Sequence, residues 1–200
     1  MTEELQSSDL WGLVLAGGLS RRMGKDKGLL EFHGLPQVVW LWQQLDALCE
    51  CAHVSVNAGQ SDLEPYANLP MIVDETTGIG PASGLVSAWA AHPEVAWLVV
   101  AVDMPFVDGD TLRPLIEARR PGMHATAYKN SDGILEPLCT IWELAAQPLL
   151  AERIRTGDTS LRGFLEVGRV SILTPPVAVS LTNINSVVEY REAERLLVAQ

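Results

Sequence analysis

Long apolar runs are what this chain most plainly lacks. No stretch reaches the ~18 consecutive apolar residues that cross a bilayer, so no membrane-spanning helix is expected. Yet 48% of the 200 residues are hydrophobic, enough for a substantial buried core. Positive charge is scarce: 14 Lys and Arg stand against 25 Asp and Glu, a formal net charge of −11, which argues against broad contact with nucleic acid or anionic lipid. Cysteine is scarce too. Cys49, Cys51 and Cys139 cannot all pair within one chain, and Cys49-x-Cys51 lacks the two-residue spacer of a zinc ribbon or thioredoxin-type site; they read as buried or idle thiols. The four histidines show no metal-ligand spacing, and no Ser/His/Asp or Cys/His set is evident. Met1 to Leu10 (MTEELQSSDL) is acidic and polar, without the basic start of a secretion signal, so a cytoplasmic protein is expected. No repeat, low-complexity tract or linker interrupts the chain, and residues 1–200 read as one domain.

What is present is concentrated. Four of the 14 basic residues fall between Arg21 and Lys27, inside the run LAGGLSRRMGKDKGLL from Leu15 to Leu30. This segment follows a short apolar stretch and reads as a loop that holds phosphates. Gly17 and Gly18 let the backbone approach a ligand closely, so that amides of Ala16 to Gly18 can point at one anion, while Arg22 and Lys27 supply charge. The spacing is neither that of the common P-loop nor GxGxxG, since five residues separate Gly18 from Gly24 and Asp26 stands where a magnesium-binding hydroxyl would be.

Short apolar runs rich in β-branched residues mark buried strands at Trp11–Leu15, His53–Val56, Met71–Val73 and Trp97–Val102. Helical stretches from Pro36 to about Glu50, Gly80 to Ala91 and Asp108 to Arg119 separate or follow them, with Asp108 as an N-cap. Such alternation predicts right-handed crossovers and a sheet covered on both faces. Beyond Pro121 the pattern becomes mixed: strands at Ala125–Lys129 and Leu138–Trp142 joined by a Ser131-Asp132-Gly133 turn, a strand at Gly168–Leu173, and amphipathic helices at Glu143–Arg155 and Ser186–Val198. The fold class is therefore α/β, a Rossmann-like three-layer α/β/α sandwich with a mostly parallel sheet and a mixed C-terminal part.

In such open sheets the ligand sits beyond the carboxyl ends of the strands, and the polar residues of this chain fall there. Asn57 follows the second strand and reads either as a ligand contact or as a turn residue. Asp74 follows the third and leads into a glycine-rich entry to a helix, through Gly80, Pro81 and Gly84, where free amides could meet an anion or a base edge. Asp103, in AVDMPF, comes straight after an apolar strand and just before a proline. A carboxylate there is either a turn or cap residue or a ligand for Mg²⁺, which takes one or two carboxylates and fills its octahedron with water and phosphate oxygens.

The motifs LAGG with RMG and DK, VNAG, VDETTGIGPASG, AVDMPF, EPLCTIW and TNINS together resemble the molybdenum cofactor guanylyltransferase family along nearly the whole chain. The resemblance implies transfer of GMP from GTP to molybdenum-bearing molybdopterin, with release of pyrophosphate. It implies that Leu15, Ala16, Gly17, Lys27, Asn57, Asp74 and Asp103 contact GTP, that Asp103 also holds Mg²⁺, and that Asn183 and Asn185 lie on the pterin side. Gly18 and Gly80 are expected beside the nucleotide, with Arg22, Lys27 and Asp103 as the catalytic group. Contacts with proteins of cofactor synthesis and molybdoenzyme maturation are expected, and none with nucleic acid or membrane. Glu136 departs from the pattern, standing where many members carry His or Gln near the pterin site. Two alternatives remain: cytidylyl transfer from CTP to the same acceptor, and a regulatory protein that binds nucleotide without turnover.

Overall fold

A computed structural model describes residues 9–18 and 26–198. The polar start of the chain and the loop residues Arg21, Arg22 and Gly24 lie outside the described residues. Seven strands form one sheet: β1 (Leu10–Leu15), β2 (Ala52–Val56), β3 (Met71–Val73), β4 (Ala96–Ala101), β5 (Ala125–Lys129), β6 (Leu135–Trp142) and β7 (Val170–Leu173), in the order β3-β2-β1-β4-β6-β5-β7. Only β6 runs against the rest, being antiparallel to both β4 and β5; β1 to β4 are mutually parallel, and β7 is parallel to β5. The mostly parallel sheet with a mixed C-terminal part is thus as expected.

The central strands are apolar because both faces are covered. All six residues of β4 are buried. On one face α1 (Gln37–Asp46) and α3 (Gly109–Glu117) lay Val38, Leu41, Leu45, Leu112 and Leu115 against Val14, Val54 and Leu98. On the other, α2 (Ala82–Ala91), α4 (Gln147–Arg155) and α5 (Leu161–Val167) pack Leu85, Trp89, Leu150 and Phe164 against Leu13, Trp97 and Trp142. The chain leaves β1 for β2 through α1 on one face and returns from β3 to β4 through α2 on the other, so connections diverge at the carboxyl ends of β1 and β4 and open a crevice there. The last helix, α6 (Val187–Val198), joins a third, smaller cluster in which Ile184 and Ala193 pack with Phe106, and Phe32 and Tyr190 pack around them.

Several element boundaries differ from the sequence reading. β6 begins three residues earlier than expected, at Leu135, and so includes Pro137. The proline is tolerated because the β5 pairing shifts register between Ala127 and Lys129, and because pairing with β4 starts only at Cys139. The helix expected from Glu143 opens as a 3-10 turn, Leu144–Ala146, and becomes α-helical only at Gln147, next to Pro148. α5 was not anticipated: it has seven residues with Gly163 inside, capped by Ser160, whose Oγ accepts the Gly163 N–H at 2.9 Å. Asp108 is the N-cap of α3, accepting the Thr111 N–H at 2.9 Å.

Candidate active site

A cleft of about 490 Å³ lies over the carboxyl ends of β1, β2, β3 and β4, a size suited to a nucleotide. Leu15, Ala16, Gly17, Gly18, Lys27, Asn57, Asp74, Gly80 and Asp103 all line it. The structure brings these residues together from five separate segments.

Gly17 is required by close packing: a Cβ there would stand 2.6 Å from Asp74 Oδ2 and 3.3 Å from the Asn57 nitrogen. Its carbonyl accepts from Asn57 Nδ2 at 3.2 Å, so the ends of β1 and β2 are stitched across the floor of the cleft. Gly80 has φ +63°, a left-handed conformation that side-chain-bearing residues rarely adopt. It turns the chain from the Asp74 loop into α2, whose first turn, with Ser83 and Gly84, faces the cleft. The amides and dipole of that turn favour negative charge or a polar base edge. The loop is anchored by the Glu75 N–H, which donates to Ser87 Oγ at 3.2 Å.

Lys27 projects into the cleft from a 3-10 turn, Lys27–Leu29, that Asp26 caps by accepting the Gly28 N–H at 2.9 Å. Its ammonium donates to Asp103 Oδ2 and to Asn185 Oδ1, each at 2.9 Å. Asp103 is held in turn by its own backbone, its carbonyl accepting the Ile184 N–H at 2.8 Å. The Asn183–Asn185 segment therefore reaches the Lys27–Asp103 side of the cleft. Ser186 caps the last helix, its Oγ accepting the Glu189 N–H at 3.2 Å, while Glu189 accepts the Asn185 N–H at 2.6 Å. Among the described residues no donor reaches the buried Asn183 Oδ1 or Asp103 Oδ1, and an acceptor left so is costly until something binds it.

The two acidic neighbours differ in setting. Asp74 accepts from Ser55 Oγ at 2.7 Å; burial raises its pKa, and the Ser55 bond partly opposes the rise. Glu136 sits on β6 with 9% exposure and accepts the Leu138 N–H at 2.8 Å. Burial raises its pKa first; the Leu138 N–H and the charge of Arg162 act the other way, and Asp103 adds to the rise. It is therefore tied to β6 beside the cleft, with its bond directed at its own backbone.

Ser55 and Gln60 were missed by sequence reasoning. A polar residue inside the apolar strand HVSV was a usable signal for Ser55. Gln60 carried none, because its partners come together only in the fold: it is 6% exposed and bonds to Ala16, Asp26 and Asn57.

A cleft at the switch point of a mostly parallel sheet, rimmed by a phosphate-type glycine loop, a lysine and an unsatisfied carboxylate, is the arrangement of a nucleotidyltransferase. The chain belongs to the MobA-like NTP transferase domain family, whose model matches residues 12–172. It is 34% identical over 192 residues to a molybdenum cofactor guanylyltransferase of Cereibacter sphaeroides, covering 94% of this chain and 97% of that protein. It is 33% identical over 188 residues to a molybdenum cofactor biosynthesis bifunctional protein of Synechocystis sp.; there it covers 94% of this chain but spans only 54% of the relative. The fold is shared with molybdopterin-guanine dinucleotide biosynthesis protein A from Archaeoglobus fulgidus (TM-score 0.79, 22% identity, 95% of this chain and 100% of that one). A nucleotidyl transferase from Methanothermobacter shares it as well (TM-score 0.78, 18% identity, 96% and 98%).

Proposed function

We propose that the protein transfers GMP from GTP to molybdopterin carrying molybdenum, forming the guanine dinucleotide form of the cofactor and pyrophosphate. The observation that carries the reading is the convergence of the glycine loop, Lys27 and Asp103 on one nucleotide-sized cleft, in a chain 34% identical to a guanylyltransferase over nearly its full length.

The terminal phosphate of the acceptor attacks the α-phosphorus of GTP, a new P–O bond forms, and the bond to the β-phosphate oxygen breaks. The attacking phosphate is already ionised, so no general base is needed. Catalysis then consists of aligning two anions and balancing the charge that develops on pyrophosphate. Amides of Ala16 to Gly18 hold phosphate oxygens, Lys27 and Arg22 balance the triphosphate, and Asn57, Asp74 and the Gly80 turn place the nucleoside. Asn183 meets the acceptor, and Asn185, bonded to Lys27, stands between acceptor and donor. Each part exerts its effect through preorganised charge rather than proton transfer.

Asp103 fits a Mg²⁺ ligand: its Oδ1 is buried and has no hydrogen-bond partner among the described residues, and its Oδ2 is taken by Lys27. Among the described residues no cluster of three or more His, Cys, Asp or Glu side chains stands ready for a metal, so a cation here would take one carboxylate and complete its shell with phosphates and water. Bound so, Mg²⁺ would supply charge neutralisation between phosphates.

The test is a panel of GTP, CTP, ATP and UTP at one Mg²⁺ concentration, assayed for pyrophosphate with the molybdenum-bearing acceptor. GTP alone should turn over. Release with CTP in preference would move the assignment to cytidylyl transfer, and binding without release would make the protein a nucleotide sensor.

A further inference from the structure

We infer that Gln60 is the positioning residue of the donor site, a single buried amide that sets the places of the Ala16 turn, Asn57 and the Lys27 turn together. The inference rests on the transferase reading above. Gln60 touches no substrate; it ties its own loop, through Asn57, to two segments distant in sequence, at Ala16 and Asp26.

Its four hydrogen bonds leave no choice of orientation. Oε1 accepts from the Asn57 backbone N–H at 3.0 Å and from Asn57 Nδ2 at 2.7 Å. Nε2 donates to the Ala16 carbonyl at 3.1 Å and to Asp26 Oδ2 at 2.6 Å. Turned over, the amide would set its nitrogen against an N–H and its oxygen against a carbonyl and a carboxylate. Each bond reaches a cleft element. Ala16 lines the cleft directly, Asn57 passes the restraint on to the Gly17 carbonyl, and Asp26 spends its other oxygen capping the turn that carries Lys27. Tyr66, wholly buried, closes the far side of this group, packed so tightly on Gly28 that a Cβ there would stand 2.1 Å from its hydroxyl. A 94%-buried side chain with both ends satisfied belongs to the kind of polar network that fixes one arrangement rather than several.

The test uses the isosteric Gln60→Glu and the apolar Gln60→Met in the full chain, with GTP binding measured by calorimetry between about pH 8 and about pH 4.5, an interval wide enough to reach the range in which two carboxylates in contact share one proton. Gln60→Glu places an acceptor against Asp26, so GTP affinity should fall about tenfold or more at the alkaline end, and recover toward the acid end as the shared proton restores a donor. Wild type should stay level over the same range, and Gln60→Met should bind weakly throughout. A folded Gln60→Glu protein that binds GTP within about twofold of wild type at the alkaline end overturns the inference, as does a loss that pH does not reverse. Nucleotide-free NMR provides the independent arm: the Lys27 ammonium and Asp26 carboxyl resonances should both move in Gln60→Met, and an unmoved Lys27 signal also overturns it. If Gln60→Met does not fold, Gln60→Glu compared across the same pH interval carries this arm. Failure of wild type itself to bind GTP would sink the transferase reading while this arm still decides the role of Gln60.

Discussion

Lys27 and Asp103, 76 residues apart in sequence, meet at 2.9 Å in the cleft, with side chains only 16% and 20% exposed. Each is therefore the other's counter-ion in the nucleotide-free protein, and a polyphosphate with its cation would give both new partners. Under the proposed function Lys27 would gain phosphate oxygens, and Asp103 would turn from the ammonium to Mg²⁺.

For Lys27→Ala, transferase activity should fall about 10²-fold or more, the usual scale for removing one group that faces developing charge. The fold should survive with a lowered melting temperature, because the change leaves the mostly buried Asp103 carboxylate without its counter-ion. Pyrophosphate release and a thermal melt on the same sample check this; near-normal turnover would remove Lys27 from the mechanism.

Asp103→Asn keeps the shape of the side chain and removes the charge that, on the proposed role, would offset Mg²⁺. Its activity should require about tenfold more Mg²⁺ or disappear, whereas GTP still binds weakly. A magnesium titration with an unchanged midpoint would return Asp103 to the role of a turn residue.

The asparagines should separate. Asn183 Oδ1 has no donor in the structure, so Asn183→Ala is expected to weaken acceptor binding and leave GTP affinity within about twofold, below ~0.5 kcal/mol. Asn185 is bonded to Lys27, so Asn185→Ala should disturb both substrates. Equal effects of the two variants on GTP affinity would contradict this division.

Glu136 gives a pH prediction. Its folded pKa is raised by burial above the unfolded value, so its contribution to stability is present below the unfolded carboxylate pKa of ~4.3 and is lost as pH rises through the folded pKa. Glu136→Gln keeps an acceptor for the Leu138 N–H and removes the buried charge. It should therefore melt higher than wild type at neutral pH, and the gap should close on acidification. A gap that persists in acid would point to packing instead.

The sheet was readable because its strands carry short apolar or β-branched runs that end at polar residues: Met71–Val73 and Ala125–Lys129 match the expected bounds at both ends. The cleft residues were readable for a related reason, since polar groups that end such runs must lie at one edge of the sheet. α5 escaped because seven residues around Gly163 carry too little helical period. The first three residues of β6 escaped because Pro137 looks like a stop until the bulge beside it is seen. Gln60 escaped for the deepest reason, that a residue whose role is to join loops has no local signature.

The contact between Lys27 and Asn185 spans 158 residues, and Asn185 lies beyond residue 172, where the family model ends. Closing a loop of that length costs chain entropy that nothing local repays. The ammonium near the start of the chain is thus held on one side by an amide near its end, and the Asp103 carbonyl takes the N–H of Ile184 in the same stretch. The segment that defines the family therefore does not contain all of the cleft's own supports: a chain cut after residue 172 would keep the matched domain and lose two of the restraints on the Lys27–Asp103 pair.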